Sequence, residues 1–292
     1  MSLWQGKSKG NKAGYQIFVW ILRNFGLLPA YFLLRFVALY FFLFSYKPSR
    51  QIYSLYHNKL GYSRIKSFFK IYTNYYLLGQ SIIDKVVVMS GIKNNFTYHF
   101  DGEENLREIA SLQKGGLLLS AHIGNWDIAG HLLKRLDTRI HIIMFDGEQE
   151  KIKEYLDNIT GKKSINIIFI KNDLSHIYEI SEAFSNNELV CMHADRFLET
   201  NKTMANNFLG QTVRFPMGPF LLAAKFKVPV SYVFAIKESR LHYHFFASKI
   251  KNYSNLEKSV VMEKMLSEFA AEMEAKVKRY PEQWFNYFNF WQ

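Results

Sequence analysis

The segment Ser120-Ala-His122-Ile-Gly-Asn125-Trp-Asp127 follows an apolar run and precedes an amphipathic one. A histidine at the end of a strand is well suited to general-base chemistry, because its ordinary pKa lies near neutrality. A carboxylate about one helical turn away can hold the other ring nitrogen and fix the tautomer, and Asp127 has that type and nearly that reach. Asn125 offers a hydrogen-bond donor beside it, and the free amides of a helix start can face a developing oxyanion. His followed five residues later by Asp also arises by chance, so the spacing alone is a weak signal.

Other polar residues divide into candidates and structural readings. His193-Ala-Asp195-Arg196 follows an apolar run, so His193 is a reasonable supporting group for a site at a strand end. Arg196 and Arg214 fit either an anionic ligand or a structural ion pair. Gly218 and Pro219 fit a tight turn that brings a helix start toward a ligand, or a simple helix cap. His242 and His244 alternate on one strand face without a third ligand at useful spacing, which favours solvent-facing residues over a metal site. His131 and His141 read as structural, Met262, Met265 and Met273 as one helix face, and Glu148 to Glu154 as a solvated helix face. Cys191 reads as a small buried residue of its strand. There is no phosphate-binding glycine loop of the Walker or G-x-G-x-x-G type, so no nucleotide cofactor is expected.

The elements that must position these groups begin near residue 95. Apolar runs predict strands at 95–100, 116–121, 139–144, 164–170, 188–192 and 229–236, with 241–247 as a partner. Helical patterns lie at 102–113, 124–135, 148–159, 173–186 and 216–226. Ser254 and Glu257 have capping-box spacing, after which Met262, Leu266, Phe269, Met273 and Val277 mark one face of a long final helix. The alternation predicts an α/β fold with a mostly parallel central sheet flanked by helices. Open sheets of that kind hold their ligands at the carboxyl ends of the strands, where His122 falls.

The first third of the chain is different. The chain has 292 residues with a formal charge of +12, and residues 1–90 hold twelve Lys/Arg against the single acid Asp84. Residues 15–46 are apolar and aromatic but are interrupted by Arg23, Pro29 and Arg35. A spanning helix needs about 20 apolar residues, and a central Arg costs about 2.5–3.5 kcal/mol on insertion scales. Three readings follow: helices lying in the interface with rings in lipid and cations at the headgroups, a single span over 24–46 whose Arg35 faces protein or snorkels, or a buried apolar helix of a soluble protein. Residues 62–90 continue the basic, aromatic surface. The division expected is therefore 1–90, a membrane-associated helical region, and 91–292, the α/β domain. A cleavable signal does not fit, since no small-residue cleavage site follows a compact apolar core. One cysteine excludes a disulfide-stapled scaffold. Nucleic-acid binding, the other reading of a basic aromatic chain, is disfavoured because the charge lies among long apolar stretches.

Several blocks resemble one family. His122 to Asp127 resembles the H-x-x-x-x-[DE] signature of glycerolipid and lipid A acyltransferases, and H-x-G-N-W-[DE] is closest to the bacterial late lipid A acyltransferases. His193-Ala-Asp195-Arg196, the run from Phe208 through Arg214 and Pro216 to Gly218, and Pro281-Glu-Gln-Trp284 follow in the family's order, so the resemblance covers roughly residues 15–292. The tail has Asn289-Phe290-Trp291 where the family carries a His-Arg pair, and Asp127 stands where many lipid A members have Glu.

The resemblance implies transfer of a fatty acyl group from a thioester, acyl carrier protein or acyl-CoA, to a hydroxyl of a lipid A-type acceptor. His122 would be the base oriented by Asp127, and Asn125, Asp195, Arg196, Arg214 and Gly218 would be substrate-binding residues. No cofactor or metal is implied. The expected setting is the cytoplasmic face of the bacterial inner membrane, with the protein peripheral or spanning once. The alternatives are the same chemistry on an aminoacyl lipid, lysophospholipid or glycolipid, or a non-catalytic membrane scaffold.

Overall fold

The computed structural model describes residues 12–128, 136, 138–145, 166–171, 173–253 and 257–291. The expectations for the helix at 148–159, most of 124–135, His131 and the Ser254 cap lie outside these residues.

Four amino-terminal helices come first: α1 (Lys12–Phe25), α2 (Leu27–Phe44), α3 (Tyr46–Ser54) and α4 (Arg64–Met89), the last two joined through a π-helical turn at Leu55–Lys59. The Ser63 side chain caps α4 by accepting from the Lys66 backbone N–H at 3.3 Å. α2 packs on α4, and Gly79 allows the close approach, because a Cβ there would fall 2.3 Å from a Leu34 methyl. The opposite face of α2 leaves Leu28, Phe32, Phe36, Tyr40 and Phe44 exposed. That face is long and apolar enough to meet a membrane.

The body contains β1 (Thr97–Asp101), α5 (Glu103–Ser111), β2 (Gly116–Ser120), β3 (Ile140–Phe145), β4 (Asn166–Ile170), α6 (Ser175–Ser185) and β5 (Leu189–His193). It continues with β6 (Thr203–Phe208), β7 (Gln211–Pro216), α7 (Gly218–Phe226), β8 (Val230–Lys237), β9 (His242–Ala247) and α8 (Lys258–Arg279). Seven strands form one sheet in the order β1-β9-β8-β2-β5-β3-β4, parallel at every pairing except β8–β9. The mostly parallel sheet flanked by helices is the architecture expected from the sequence. The strands lie within about two residues of their sequence-based positions. β6 and β7 form a separate antiparallel hairpin that was not foreseen, turning at Leu209 and Gly210, both with positive φ.

Continuous apolar runs make the central strands: every residue of β2 is buried, as are Leu189 to Met192 of β5. The expected face of α8 (Met262, Leu266, Phe269, Met273 and Val277) is buried against this core. The amino-terminal helices pack directly on the sheet, since Val19, Ala30, Leu34 and Val87 share a cluster with Ala235, Tyr243 and Phe245.

A charged group lies inside that junction. Asp84 of α4 is fully buried and accepts from Tyr31 of α2, Lys237 of β8 and Tyr243 of β9. Lys237 Nζ also donates to the Tyr31 hydroxyl at 3.0 Å. Burial pushes the Asp84 carboxyl up and the Lys237 amine down, and each is the other's counter-charge. Asp84→Ala would leave an unpaired buried ammonium and is expected to lower stability by about 3–5 kcal/mol in chemical denaturation. The double change Asp84→Leu/Lys237→Met is expected to recover most of that loss. Equal destabilisation by the single and double variants would refute the pairing argument.

Candidate functional site

The site forms because β2 and β5 are parallel neighbours in register. Ser120 is opposite His193, and the Ala194 N–H donates to the Ser120 carbonyl at 2.9 Å. Two residues beyond each strand, His122 and Asp195 therefore come side by side. Asp195 binds His122 twice: Oδ2 accepts its backbone N–H at 3.0 Å, and Oδ1 accepts the ring Nδ1–H at 2.7 Å. Backbone and ring are thus fixed by one carboxylate.

The electrostatics suit that arrangement. Asp195 is buried, but His122 and Arg196 hold its carboxyl well below the usual carboxylate range. Burial, then the Arg196 charge, lowers the His122 pKa, while Asp195 and, more weakly, Asp127 oppose that shift. The result is a neutral imidazole with Nδ1–H on Asp195 and a lone pair on Nε2. His193 Nδ1 lies 3.1 Å from that Nε2, and burial together with His122 keeps His193 neutral. A neutral His193 can donate its Nδ1–H to the lone pair. Its ring lies edge-on to Trp126, with centroids 4.7 Å apart.

The structure differs from the expectation for Asp127. Its carboxylate pairs with Lys85 of α4 at 3.0 Å, and Asp195 occupies His122 Nδ1. Five residues along the chain place Asp127 at the start of a helical turn facing α4, while strand pairing brings Asp195 from 73 residues away. Asn125 also differs from a substrate donor. It is buried, and its amide donates to the Ser81 carbonyl at 2.9 Å and the Tyr243 hydroxyl at 3.2 Å. It anchors the motif to α4 and β9.

Gly124 permits the turn between these residues. Its φ is +71°, and a Cβ would fall 1.9 Å from the Ala235 carbonyl oxygen. The carboxyl-terminal segment clamps the same turn. Gly124 N–H donates to Gln283 O, and Phe285 N–H donates to His122 O, each at 2.9 Å. Arg196 joins the clamp by donating to Phe285 O at 2.5 Å. Arg214 lies on the exposed face of β7, and Gly218 begins α7 with Pro219 behind it. The dyad residues, His193 and Arg196 are thus brought together, while Arg214 stands on the separate hairpin.

Cys191, His141 and His244 are accounted for by packing. Cys191 is buried in β5, and burial pushes its thiol up to about 12, which leaves it a poor nucleophile. His141 pairs with Glu188 at 2.5 Å. His244 is not solvent-facing as expected, because it sits between Asp101 at 2.9 Å and Glu238 at 3.2 Å. Two trios, His122–His193–Asp195 and His99–Asp101–His244, present ligand-type atoms within 4.8 Å of one another. In both, the carboxylate already pairs with imidazole nitrogen, so each reads as a hydrogen-bonded cluster.

Comparison with known proteins agrees with the motif reading. The family described as bacterial lipid A biosynthesis acyltransferase matches residues 76–292. No curated protein matches the chain. Among solved structures, the 1-acyl-sn-glycerophosphate (LPA) acyltransferase PlsC from Thermotoga maritima overlaps with 15% identity and a TM-score of 0.38. That overlap covers 85% of this chain and 97% of that one. The family match carries the assignment.

The charges around His122 give a measurable consequence. Asp195→Asn removes the carboxylate that raises the His122 pKa, so the ring should protonate at still lower pH than in the native protein. Asp127→Asn should move the midpoint in the same direction by less. Histidine-ring NMR titration reads both, and a larger displacement with Asp127→Asn would reverse the assignment.

Proposed function

The chain belongs to the bacterial lipid A biosynthesis acyltransferase family and is an acyltransferase acting on a lipid, and from that premise we propose that His122 and Asp195 are its catalytic pair. The observation that carries the reading is the double hydrogen bond from His122 to Asp195 at the carboxyl end of the central strands.

The acceptor hydroxyl takes the place of His193 on the His122 Nε2 lone pair. As His122 removes the hydroxyl proton, the oxygen attacks the thioester carbonyl, and Asp195 stabilises the imidazolium that forms. The tetrahedral adduct collapses with loss of the thiolate, which recovers the proton from His122. An ester has formed, a thioester has broken, and the histidine is neutral again. No covalent enzyme intermediate is required, in keeping with the inert thiol of Cys191.

The donor in this reading is acyl carrier protein or acyl-CoA, which share the thioester. The acceptor is a lipid A-type glycolipid, as the family description suggests. Residues 1–90 form the membrane-associated region, and residues 91–292 carry the chemistry. Their setting in this reading is the cytoplasmic face of the inner membrane, the side that basic residues beside an apolar segment favour. Asp127 acts as a positioning residue: through Lys85 it holds the motif turn on α4.

His122→Ala should lower acyl transfer in membranes containing the protein by about 10²–10⁴-fold, the usual scale for a lost general base. Membrane partitioning should be unchanged. Product mass spectrometry with each thioester donor and a native lipid extract identifies the acceptor. An unchanged yield from His122→Ala would remove His122 from the mechanism.

A further inference from the structure

α2 carries one charged residue, Arg35, in an otherwise apolar helix whose outer face is exposed. A lone guanidinium at such a place is costly against lipid unless it reaches a polar partner. Arg35 lines a half-open cavity of about 550 Å³ between α2, α4 and the β8–β9 turn. Across the cavity the turn supplies Arg240, and the wall includes Gln80, Ser239 and Tyr76.

The cavity is short of negative charge. Its one lining carboxylate is Glu238, which is engaged by His244 at 3.2 Å, by the Tyr280 hydroxyl and by Arg279 at 3.8 Å. Lys237 at the cavity floor is occupied by Asp84. Among the described residues, no carboxylate pairs with Arg35 or Arg240. Beside this opening, Leu28, Phe32 and Phe36 follow one another at helical spacing on the exposed face of α2, at 52%, 61% and 57% exposure. A cationic polar hollow at the head of an exposed apolar stripe matches an anionic head joined to hydrocarbon chains.

We propose that this cavity binds the headgroup of an anionic phospholipid of the bilayer. Its phosphate is held by the guanidiniums of Arg35 and Arg240, and its acyl chains run along Leu28, Phe32 and Phe36. Planar guanidinium donors suit a phosphate better than a lysine ammonium does. The phosphate also supplies the counter-charge that lets Arg35 sit on an apolar helix. The site is separate from the His122 dyad and serves to seat the protein at a defined depth and orientation.

Native mass spectrometry of the full chain in detergent, titrated with phosphatidylglycerol or phosphatidylcholine, tests the proposal without using turnover. Its outcome is therefore separable from that of the acyl-transfer reading. Wild-type protein should retain one phosphatidylglycerol in preference to phosphatidylcholine, and millimolar inorganic phosphate should not displace it. R35Q/R240Q should weaken that binding by at least about tenfold, as loss of charge-assisted hydrogen bonds predicts. K47Q/R50Q, which removes the same charge from exposed positions of α3, should change it by less than about twofold. R240Q alone, on an exposed turn, should weaken it in the same direction with an unchanged thermal melt. Equal loss in the two double variants would mean diffuse charge attraction and overturn the site. So would equal retention of the two lipids, or displacement by inorganic phosphate, which would make a free anion the occupant.

Discussion

One carboxylate, Asp195, determines where the His122 imidazole sits. Because its two oxygens bind the backbone and the ring of His122, the strand exit and the side chain cannot drift independently. That bond requires two neighbouring parallel strands ending level with each other, a requirement met by the pairing of Ser120 with His193. It also requires a turn after His122 that ordinary residues cannot make, which is why Gly124 sits against the Ala235 carbonyl. The tail then closes the turn from outside with main-chain hydrogen bonds from Gly124 and Phe285. In the proposed mechanism, a ring fixed in this way loses little free energy to reorientation as it takes the proton.

Helix α4 extends that control to the membrane-facing helices. Three successive contacts run from its inner face: the Ser81 carbonyl to Asn125, Asp84 to Tyr243 and Lys237, and Lys85 to Asp127. Asn74, about two turns before Ser81, donates to the Glu282 and Trp284 carbonyls of the tail. A buried ion pair is a poor source of net stability compared with apolar packing. Here it joins α2, α4, β8 and β9 at one point, and any slip of α4 along its axis would unpair both charges. Its value is in fixing the position of one layer against another. The same slip would move Asn125 and Asp127, so the attachment of the helices to the sheet and the shape of the motif turn are mechanically one feature.

Much of this was legible in the sequence, for identifiable reasons. The strands of the main sheet are short apolar runs bounded by turn residues, and Leu117 to Leu119 or Val190 to Met192 admit few other placements. The face of α8 follows from its helical spacing. The β6–β7 hairpin escaped because Thr203 to Phe208 interleaves Thr203, Asn206 and Asn207 with Met204, Ala205 and Phe208, and only Phe208 is buried, so no apolar run announces it. The partner of His122 escaped for a different reason. Linear spacing favours Asp127, whereas proximity is set by which strands are neighbours, and strand order is not written in any local pattern. The available signal was the recurrence of the same form, a polar pair just past an apolar strand, in His193-Ala-Asp195. Asn125 shows the converse: its place inside the motif suggested chemistry, but its amide is consumed by anchoring.

The orientation of the sheet relates the site to the lipid. β2, β5 and β8 are mutually parallel along the central ladder, so Ser120, His193 and Lys237 mark a common edge. Lys237 meets Tyr31 there, which puts α2 and its exposed stripe on the edge that carries His122. A lipid hydroxyl stays close to the plane of the headgroups because its acyl chains are costly to expose to water, roughly 0.8 kcal/mol for each methylene. An enzyme acting on such a hydroxyl has to bring its base to the interface rather than draw the lipid out. Exposed rings on α2 are tied through Asp84 to β8 and β9, and β8 is the direct neighbour of β2, the strand that leads into His122. The concentration of positive charge in the first 90 residues then biases which surface is approached. In the proposed mechanism the buried polar junction and the exposed apolar face of the same helices are therefore two parts of one requirement: to hold an imidazole at a fixed height over a lipid surface.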